Sequence, residues 1–143
     1  MILLDTNVVI DARVSNSPHH GWAQEVIAEA LSESGVGLNA IVLAELCVGQ
    51  KDPKLIEDQL LAKGVKIIDV PAAAARICGE AYSQYRLARR KSGGGAAPTI
   101  PLPDFFIGAH AELMGWSLAT RDAERYRRYF PNVKLIEPRS IKR

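Results

Sequence analysis

Short aliphatic runs alternate along this chain with longer segments of helical periodicity. A brief apolar run bounded by turn residues is typical of a buried strand. Five runs fit this description: "ILL" near the start, "GVGLNA", "VKIIDV", "WSLAT" and "VKLIEP". Because strands alternate with helices, the pattern predicts an α/β sandwich with a mostly parallel sheet of about four to five strands and right-handed crossovers.

The segments between these runs predict helices. Residues 22–34 repeat apolar side chains at helical spacing, with glutamine and glutamates between them. Further helices are predicted in "IVLAELCVGQ", "PKLIEDQLLAKG", "PAAAARICGEAYSQYRLARRK", "DFFIGAHAELMG" and, as a turn and short helix, "RDAERYRRYF". Asp104 is expected at the N-cap of its helix. Residues 92–103 contain three glycines and three prolines, which predict a flexible loop, and they lack the Lys and Ser or Thr of a P-loop.

Length and composition favour one folded domain, residues 1–143. The chain has no run of about 18 uncharged apolar residues, and Asp5 stands where a secretory signal would carry a basic residue. We therefore expect a cytoplasmic protein that does not act at a membrane. Cys47 and Cys78 sit in apolar helical segments without Cys-x-x-Cys spacing, which predicts buried thiols.

Charge is distributed unevenly between the two halves of the chain. Residues 1–70 contain ten acidic and five basic side chains, whereas residues 71–143 contain six acidic and thirteen basic ones. The densest basic segment is "RLARRK", with Arg86, Arg89, Arg90 and Lys91. Such a cluster is either a solvated helix end, where cations suit the helix dipole, or a surface that contacts phosphates.

Four acidic residues occupy positions that the predicted topology brings to one edge of the sheet. Asp5 and Asp122 follow the first and fourth strands, and Asp104 begins the helix after the loop. Glu45 is a carboxylate in an otherwise apolar helix, where it needs a partner or a cation. Sites in such sheets form at the carboxyl ends of strands. Helix capping is the alternative for Asp104 and Asp122, and a cap of the turn before "NVVID" is the alternative for Asp5. A half-exposed helical position is the alternative for Glu45.

Four carboxylates in one pocket repel each other unless a cation neutralises them. Oxygen ligands alone suit Mg²⁺ or Mn²⁺ better than zinc, and such ions commonly bind substrate phosphates as well. The acids therefore predict a phosphodiester-cleaving site in which a metal-bound water is the nucleophile. Thr6, Asn7 and Thr120 would orient the carboxylates through hydrogen bonds.

Four segments in this order resemble the PIN-domain nucleases, and specifically the VapC-like toxins of toxin–antitoxin pairs. The segments are "LLDTNVVID", "LAEL", "PDFFIGAHA" and "LATRDAERY". The resemblance implies a Mg²⁺- or Mn²⁺-dependent endoribonuclease with a three-layer α/β/α PIN fold. It also implies a homodimer that is silenced by a small antitoxin that binds DNA. The family's acids fall on Asp5, Glu45, Asp104 and Asp122, its polar Thr or Ser on Thr120, and its Asn on Asn7.

The resulting hypothesis is hydrolysis of an RNA phosphodiester to 5′-phosphate and 3′-hydroxyl ends. The RNA backbone would be held by five cations: Arg86, Arg89, Arg90, Lys91 and Arg121. Two alternatives stay open. One is a binding module whose acids hold a structural ion, and the other is a PIN nuclease of RNA processing or DNA repair. Asp11 is expected in a surface or capping role, and His110 as a packed, hydrogen-bonded residue.

Overall fold

The computed structural model describes residues 1–140. Its strands are β1 (Ile2–Leu4), β2 (Val36–Asn39), β3 (Lys66–Ile68), β4 (Ser117–Ala119) and β5 (Leu135–Ile136). Its helices are α1 (Thr6–Arg13), α2 (His20–Glu33), α3 (Ala40–Cys47), α4 (Pro53–Ala62), α5 (Ala74–Lys91), α6 (Pro103–Met114) and α7 (Glu124–Tyr129). The predicted domain also included residues 141–143, which lie outside the described residues.

The strands form one parallel sheet in the order β3-β2-β1-β4-β5. The predicted α/β architecture is thus confirmed, with helices flanking the sheet. Chain connections leave β1 towards β2 and leave β4 towards β5, so strand order reverses between the adjacent strands β1 and β4. Ligands of such sheets bind outside the carboxyl ends of the strands at this switch point. The acids after β1 and β4 lie there.

The helices pack on the sheet around a dense aliphatic and aromatic core. Gly108 of α6 lies so close to the ring of Phe130, the residue after α7, that an added Cβ would overlap ring carbons. Phe105 of α6 is fully buried among the aromatic rings of Tyr82, Tyr85 and Phe130. These contacts fix α6 and the end of α7 in the core.

Buried polar side chains join α3 to α6. Asn39 caps α3 because its Oδ1 accepts hydrogen bonds from the backbone N–H groups of Ile41 and Val42, each at 3.1 Å. Its amide nitrogen lies 3.2 Å from Nδ1 of His110. Burial lowers the pKa of His110, which favours the neutral ring. The expected packed, hydrogen-bonded role of His110 is confirmed.

Residues 6–13 received no assignment from the sequence; they form helix α1 although Val8, Val9 and Ile10 are consecutive β-branched residues, which favour a strand. Two local expectations need correction. Helix α2 begins at His20, two residues before the predicted start. Asp104 is not an N-cap: Leu102 holds that position without a side-chain bond, and a proline begins the helix. A proline is pre-organised for the first helical position, so α6 starts one residue before Asp104.

The cysteine prediction is confirmed in part. Cys78 is buried, whereas Cys47 is only half-buried, and both are free thiols. None of the helices in residues 1–140 combines the length and apolar character needed to cross a membrane.

Candidate active site

Asp5 is the most buried acid of the predicted site, at 5% exposure. It directly follows β1, and its backbone N–H donates to the carbonyl of Ala119 on the neighbouring strand β4. It is also the N-cap of α1, because its Oδ1 accepts the backbone N–H of Thr6 at 2.7 Å. Strand pairing on one side and helix capping on the other therefore fix the carboxylate at the switch point.

The second oxygen of Asp5 accepts hydrogen bonds from neutral groups. Thr120 Oγ1 donates to Oδ2 at 2.8 Å, Tyr126 Oη donates at 3.0 Å, and the amide nitrogen of Asn7 lies at 3.3 Å. Burial, together with the nearby charge of Asp104, raises the pKa of Asp5 from 3.8 to about 6, although bonds from Thr120, Thr6 and Tyr126 oppose the shift. A buried carboxylate held by neutral donors is stabilised in its charged form by a cation.

Glu45 and Asp122 are linked to this carboxylate through polar side chains. The hydroxyl of Thr6 donates to Oε1 of Glu45 at 2.8 Å. The Asn7 amide nitrogen lies 3.3 Å from Oδ2 of Asp122, the same distance that separates it from Asp5 Oδ2. Thr120 Oγ1 accepts the backbone N–H of Asp122 at 3.1 Å. The residues predicted to orient the carboxylates are thus the ones that contact them, and capping is not the role of Asp122.

Asp104 reaches the site from α6 and forms an ion pair with Arg125, whose Nη1 lies 3.1 Å from its Oδ2. The effect of Asp104 on the hydroxyl of Tyr126 indicates that it lies close to the other acids. Burial first, and then the charges of Asp5, Asp104 and Glu45, raise the pKa of the Tyr126 hydroxyl well above its ordinary value. One phenol therefore lies within electrostatic reach of three of the four acids.

The acids do not form a preassembled ligand cage. Within residues 1–140, no group of three or more His, Cys, Asp or Glu side chains is gathered closely enough to hold a metal ion. Mg²⁺, however, commonly takes one or two protein carboxylates and keeps several waters. The four acids offer only oxygen ligands, which suit such a hard ion. Asp5 fits it as well, because its carboxylate is buried and its hydrogen-bond donors are all neutral.

Two contacts of the site were not predicted from sequence, the Tyr126 hydroxyl on Asp5 and the Arg125 guanidinium on Asp104. Both side chains come from α7, which begins two residues after Asp122. The "ERYRRY" segment carried a signal for a basic helix, but nothing in its spacing indicated which way it faces.

A cleft of about 710 Å³ opens beside the acids. Four arginines line it, Arg121, Arg125, Arg127 and Arg128, and so do four acids, Asp104, Asp122, Glu124 and Glu137. Nη2 of Arg127 pairs with Glu137 at 2.6 Å. A second depression, of about 500 Å³, is lined by Arg128 and by Lys91 at the end of α5. Because Arg128 lines both, the basic end of α5 adjoins the cleft. Of the other predicted cations there, Arg89 donates to the hydroxyl of Tyr85, a cleft residue, at 3.3 Å.

The structure contradicts the predicted role of Asp11 and shows which groups Arg121 contacts. Asp11 is 4% exposed, so the expected surface or capping role is wrong. Its Oδ2 accepts a bond from Nε of Arg121 at 2.6 Å, and its Oδ1 accepts the hydroxyl of Ser17 at 2.9 Å. The backbone N–H of Arg121 also donates to Oδ1 of Asn7 at 3.2 Å. Arg121 therefore holds Asn7 through its backbone and pairs with Asp11 through its guanidinium, and it also lines the cleft.

Fold and site together define a parallel α/β protein with an acidic switch point and an adjoining cleft lined by both arginines and acids. The PIN domain family model matches residues 2–131, so the chain belongs to the PIN domain family. A search of curated protein sequences gives no match.

Several solved structures share this fold. VapBC2 from Rickettsia felis, crystallised with a DNA fragment from the promoter, is 24% identical with a TM-score of 0.63, over 97% of this chain and all of that one. DNA-bound VapBC from Salmonella typhimurium is 20% identical with a TM-score of 0.67, over 95% and 96% of the two chains. Mycobacterium tuberculosis VapC20, described as a Sarcin-Ricin loop cleaving toxin, is 17% identical with a TM-score of 0.59, over 94% and 99%.

Proposed function

We propose that this PIN-domain protein is a toxin-type endoribonuclease that uses Mg²⁺ or Mn²⁺. The observation that carries the proposal is the environment of Asp5. Its buried carboxylate has neutral hydrogen-bond donors and is joined through Thr6 and Asn7 to Glu45 and Asp122. It lies beside a cleft whose lining includes four arginines as well as acids. Membership of the family and the fold shared with a toxin described as cleaving the Sarcin-Ricin loop point the same way.

The proposed roles follow from these contacts. Asp5, Glu45, Asp104 and Asp122 would hold the ion. When bound, the ion stabilises charge on the phosphate and lowers the pKa of a coordinated water. Thr6, Thr120 and Tyr126 keep the Asp5 and Glu45 carboxylates in place through bonds of 2.7 to 3.0 Å. A hydroxyl that orients a carboxylate sets the direction of its lone pairs.

The cleft supplies the proposed path of the RNA backbone. Arg125, Arg127 and Arg128 lie on one short helix beside Asp104 and Asp122, and Lys91 extends the basic surface towards α5. Guanidinium groups bind phosphates through paired N–H donors. In this proposal the α7 arginines are added to the cations of α5, and Arg121 contributes through its hold on Asn7.

A cognate antitoxin is the proposed partner. Structures of similar fold include the toxin–antitoxin complex from Klebsiella pneumoniae, at 22% identity. On this chain an apolar groove of about 310 Å³ lies between α1, α2 and α4, and Val9, Ile27, Leu31 and Leu60 contribute to its lining. An apolar helix face of a small antitoxin would fill such a groove. We also propose a homodimer and a cytoplasmic location, where RNA is available.

The experiment compares three proteins on a mixed RNA pool with Mn²⁺, with Mg²⁺ and with chelator. They are wild type, Asp5→Asn, and Asp52→Asn as a matched control. Asp52 caps α4 on the exposed surface, and asparagine caps equally well. We expect metal-dependent cuts with 5′-phosphate ends from wild type and the control, and none from Asp5→Asn. Full activity in chelator, or 2′,3′-cyclic phosphate ends, would refute the metal-water mechanism.

A binding module is the second candidate, favoured by the lack of a gathered three-acid group within the described part of the chain. It predicts RNA retention without cleavage by wild type and Asp5→Asn alike. The remaining alternative is a PIN nuclease that processes RNA and is not a toxin. Cell growth during expression without an antitoxin distinguishes the two, because a toxin arrests growth and a processing nuclease does not.

A further inference from the structure

Arg125 occupies a position beside Asp104 where a metal ion would also bind. Its Nη1 lies 3.1 Å from Oδ2 of Asp104, and the two side chains are 37% and 36% exposed. We propose that Arg125 is an internal counter-ion that competes with the divalent cation for Asp104. The inference rests on the proposed function, because it concerns the same acids and the same ion.

The guanidinium of Arg125 is held in place rather than free in solvent. Its Cζ lies 5.3 Å from the centroid of the Tyr85 ring and 5.9 Å from that of the Phe105 ring. A guanidinium at such distances is attracted by the negative faces of both rings. Phe105 directly follows Asp104 in α6, so one of the two rings belongs to the residue next to the paired carboxylate.

Helix α7 gives Asp104 a charged partner and Asp5 a neutral one. Arg125 brings a positive charge to Asp104, whereas the next residue, Tyr126, brings a neutral hydroxyl to Asp5 at 3.0 Å. Asp104 is therefore compensated without a metal, and Asp5 is not. An arriving ion is attracted by Asp5 but must displace, or share a carboxylate with, the guanidinium at Asp104.

The competition has a physical basis in distance and charge. Mg²⁺ approaches its oxygen ligands to about 2.1 Å, and a guanidinium bonded to the same carboxylate repels it. A partly exposed ion pair of this kind is a weak interaction in water. Its removal should tighten metal binding by about two- to fivefold.

Manganese binding tests this directly, without RNA and without turnover. Free Mn²⁺ is measured by its electron paramagnetic resonance signal during titration of wild type, Arg125→Met, Arg125→Gln and Arg128→Met. Arg128 lies on the same helix and lines the same cleft, but its guanidinium stacks on Tyr129 at 5.3 Å. The Arg128→Met control therefore removes one charge from α7 and leaves the Asp104 pair intact.

We expect both Arg125 variants to bind Mn²⁺ about two- to fivefold more tightly than wild type, and more tightly than Arg128→Met. Damage to the fold would weaken binding, so it cannot imitate this gain. Equal affinity in wild type and both Arg125 variants, or an equal gain in Arg128→Met, overturns the competition while the nuclease proposal stands. Failure of all four proteins to bind Mn²⁺ overturns both.

Discussion

The Asp5→Asn substitution is expected to stabilise the metal-free protein at neutral pH. Burial holds the pKa of Asp5 at about 6 instead of 3.8. A shift of this size means that ionised Asp5 costs the native state about 3 kcal/mol at pH 7. Asparagine carries no charge and is also a good N-cap.

Part of this gain is lost through hydrogen bonding. The carboxylate accepts the Thr6 N–H on Oδ1 and the hydroxyls of Thr120 and Tyr126 on Oδ2. A carboxamide has one accepting oxygen, so one of these positions will face an NH₂ group, at a cost of about 1 kcal/mol. The net expectation is a gain of about 2 kcal/mol at pH 7, from these two magnitudes.

The pH dependence follows from the same shift. Because the folded-state pKa lies above the unfolded-state value, the native protein binds the proton more tightly between pH 3.8 and about 6. The favourable contribution of this proton is complete below pH 3.8 and is lost as the pH rises through about 6. The advantage of Asp5→Asn should therefore appear across this window and disappear at its acidic end.

Urea unfolding in chelator, at several pH values between 4 and 8, measures this difference. Wild type is compared with Asp5→Asn and with Asp52→Asn, whose acid is an exposed cap. The reasoning is refuted if Asp5→Asn is no more stable than wild type at pH 7. It is also refuted if the difference between the two proteins does not change between pH 4 and pH 7.

Three further predictions concern packing, an ion pair and metal binding. Gly108→Ala should cost about 1–3 kcal/mol or more in the free energy of unfolding, because its Cβ meets the Phe130 ring; an unchanged melting temperature contradicts this. Arg121→Met should lower the free energy of unfolding by about 3 kcal/mol, since it leaves Asp11 buried without its cation. Urea unfolding measures this loss, and a loss no larger than that for an exposed ion pair contradicts the prediction. Saturating Mn²⁺, at about 100 times its Kd, should stabilise wild type by about 2.7 kcal/mol but not Asp5→Asn; equal thermal shifts in both proteins argue against Asp5 as a ligand.

Several features of the site could be predicted from local sequence. Asp5 and Thr120 follow aliphatic runs, and parallel strands deliver the residues after them to one edge of the sheet. Glu45 could be singled out because an isolated carboxylate in an apolar helix needs a polar partner, which the structure provides as the Thr6 hydroxyl. These predictions rest on period and polarity, which are properties of short segments.

Other features depended on contacts between distant segments. Helix α1 contains consecutive β-branched residues, and the Asp5 cap together with packing overrides their strand preference. Asp11 was expected near the surface, but the burial of its carboxylate depends on Arg121, which lies 110 positions away. No local pattern encodes the partner of a charge at that separation.

The sequence by itself determined the alternation of strands and helices, the positions of four acids relative to that alternation and the basic character of the second half. Periodicity and polarity carry this information because they reflect which side of each element meets water. Only the tertiary structure decided that Arg125 pairs with Asp104 and that the Tyr126 hydroxyl donates to Asp5. Both contacts depend on how α7 packs against the rest of the protein. The direction in which a short helix faces is set by packing across the whole core, and its own residues do not specify it.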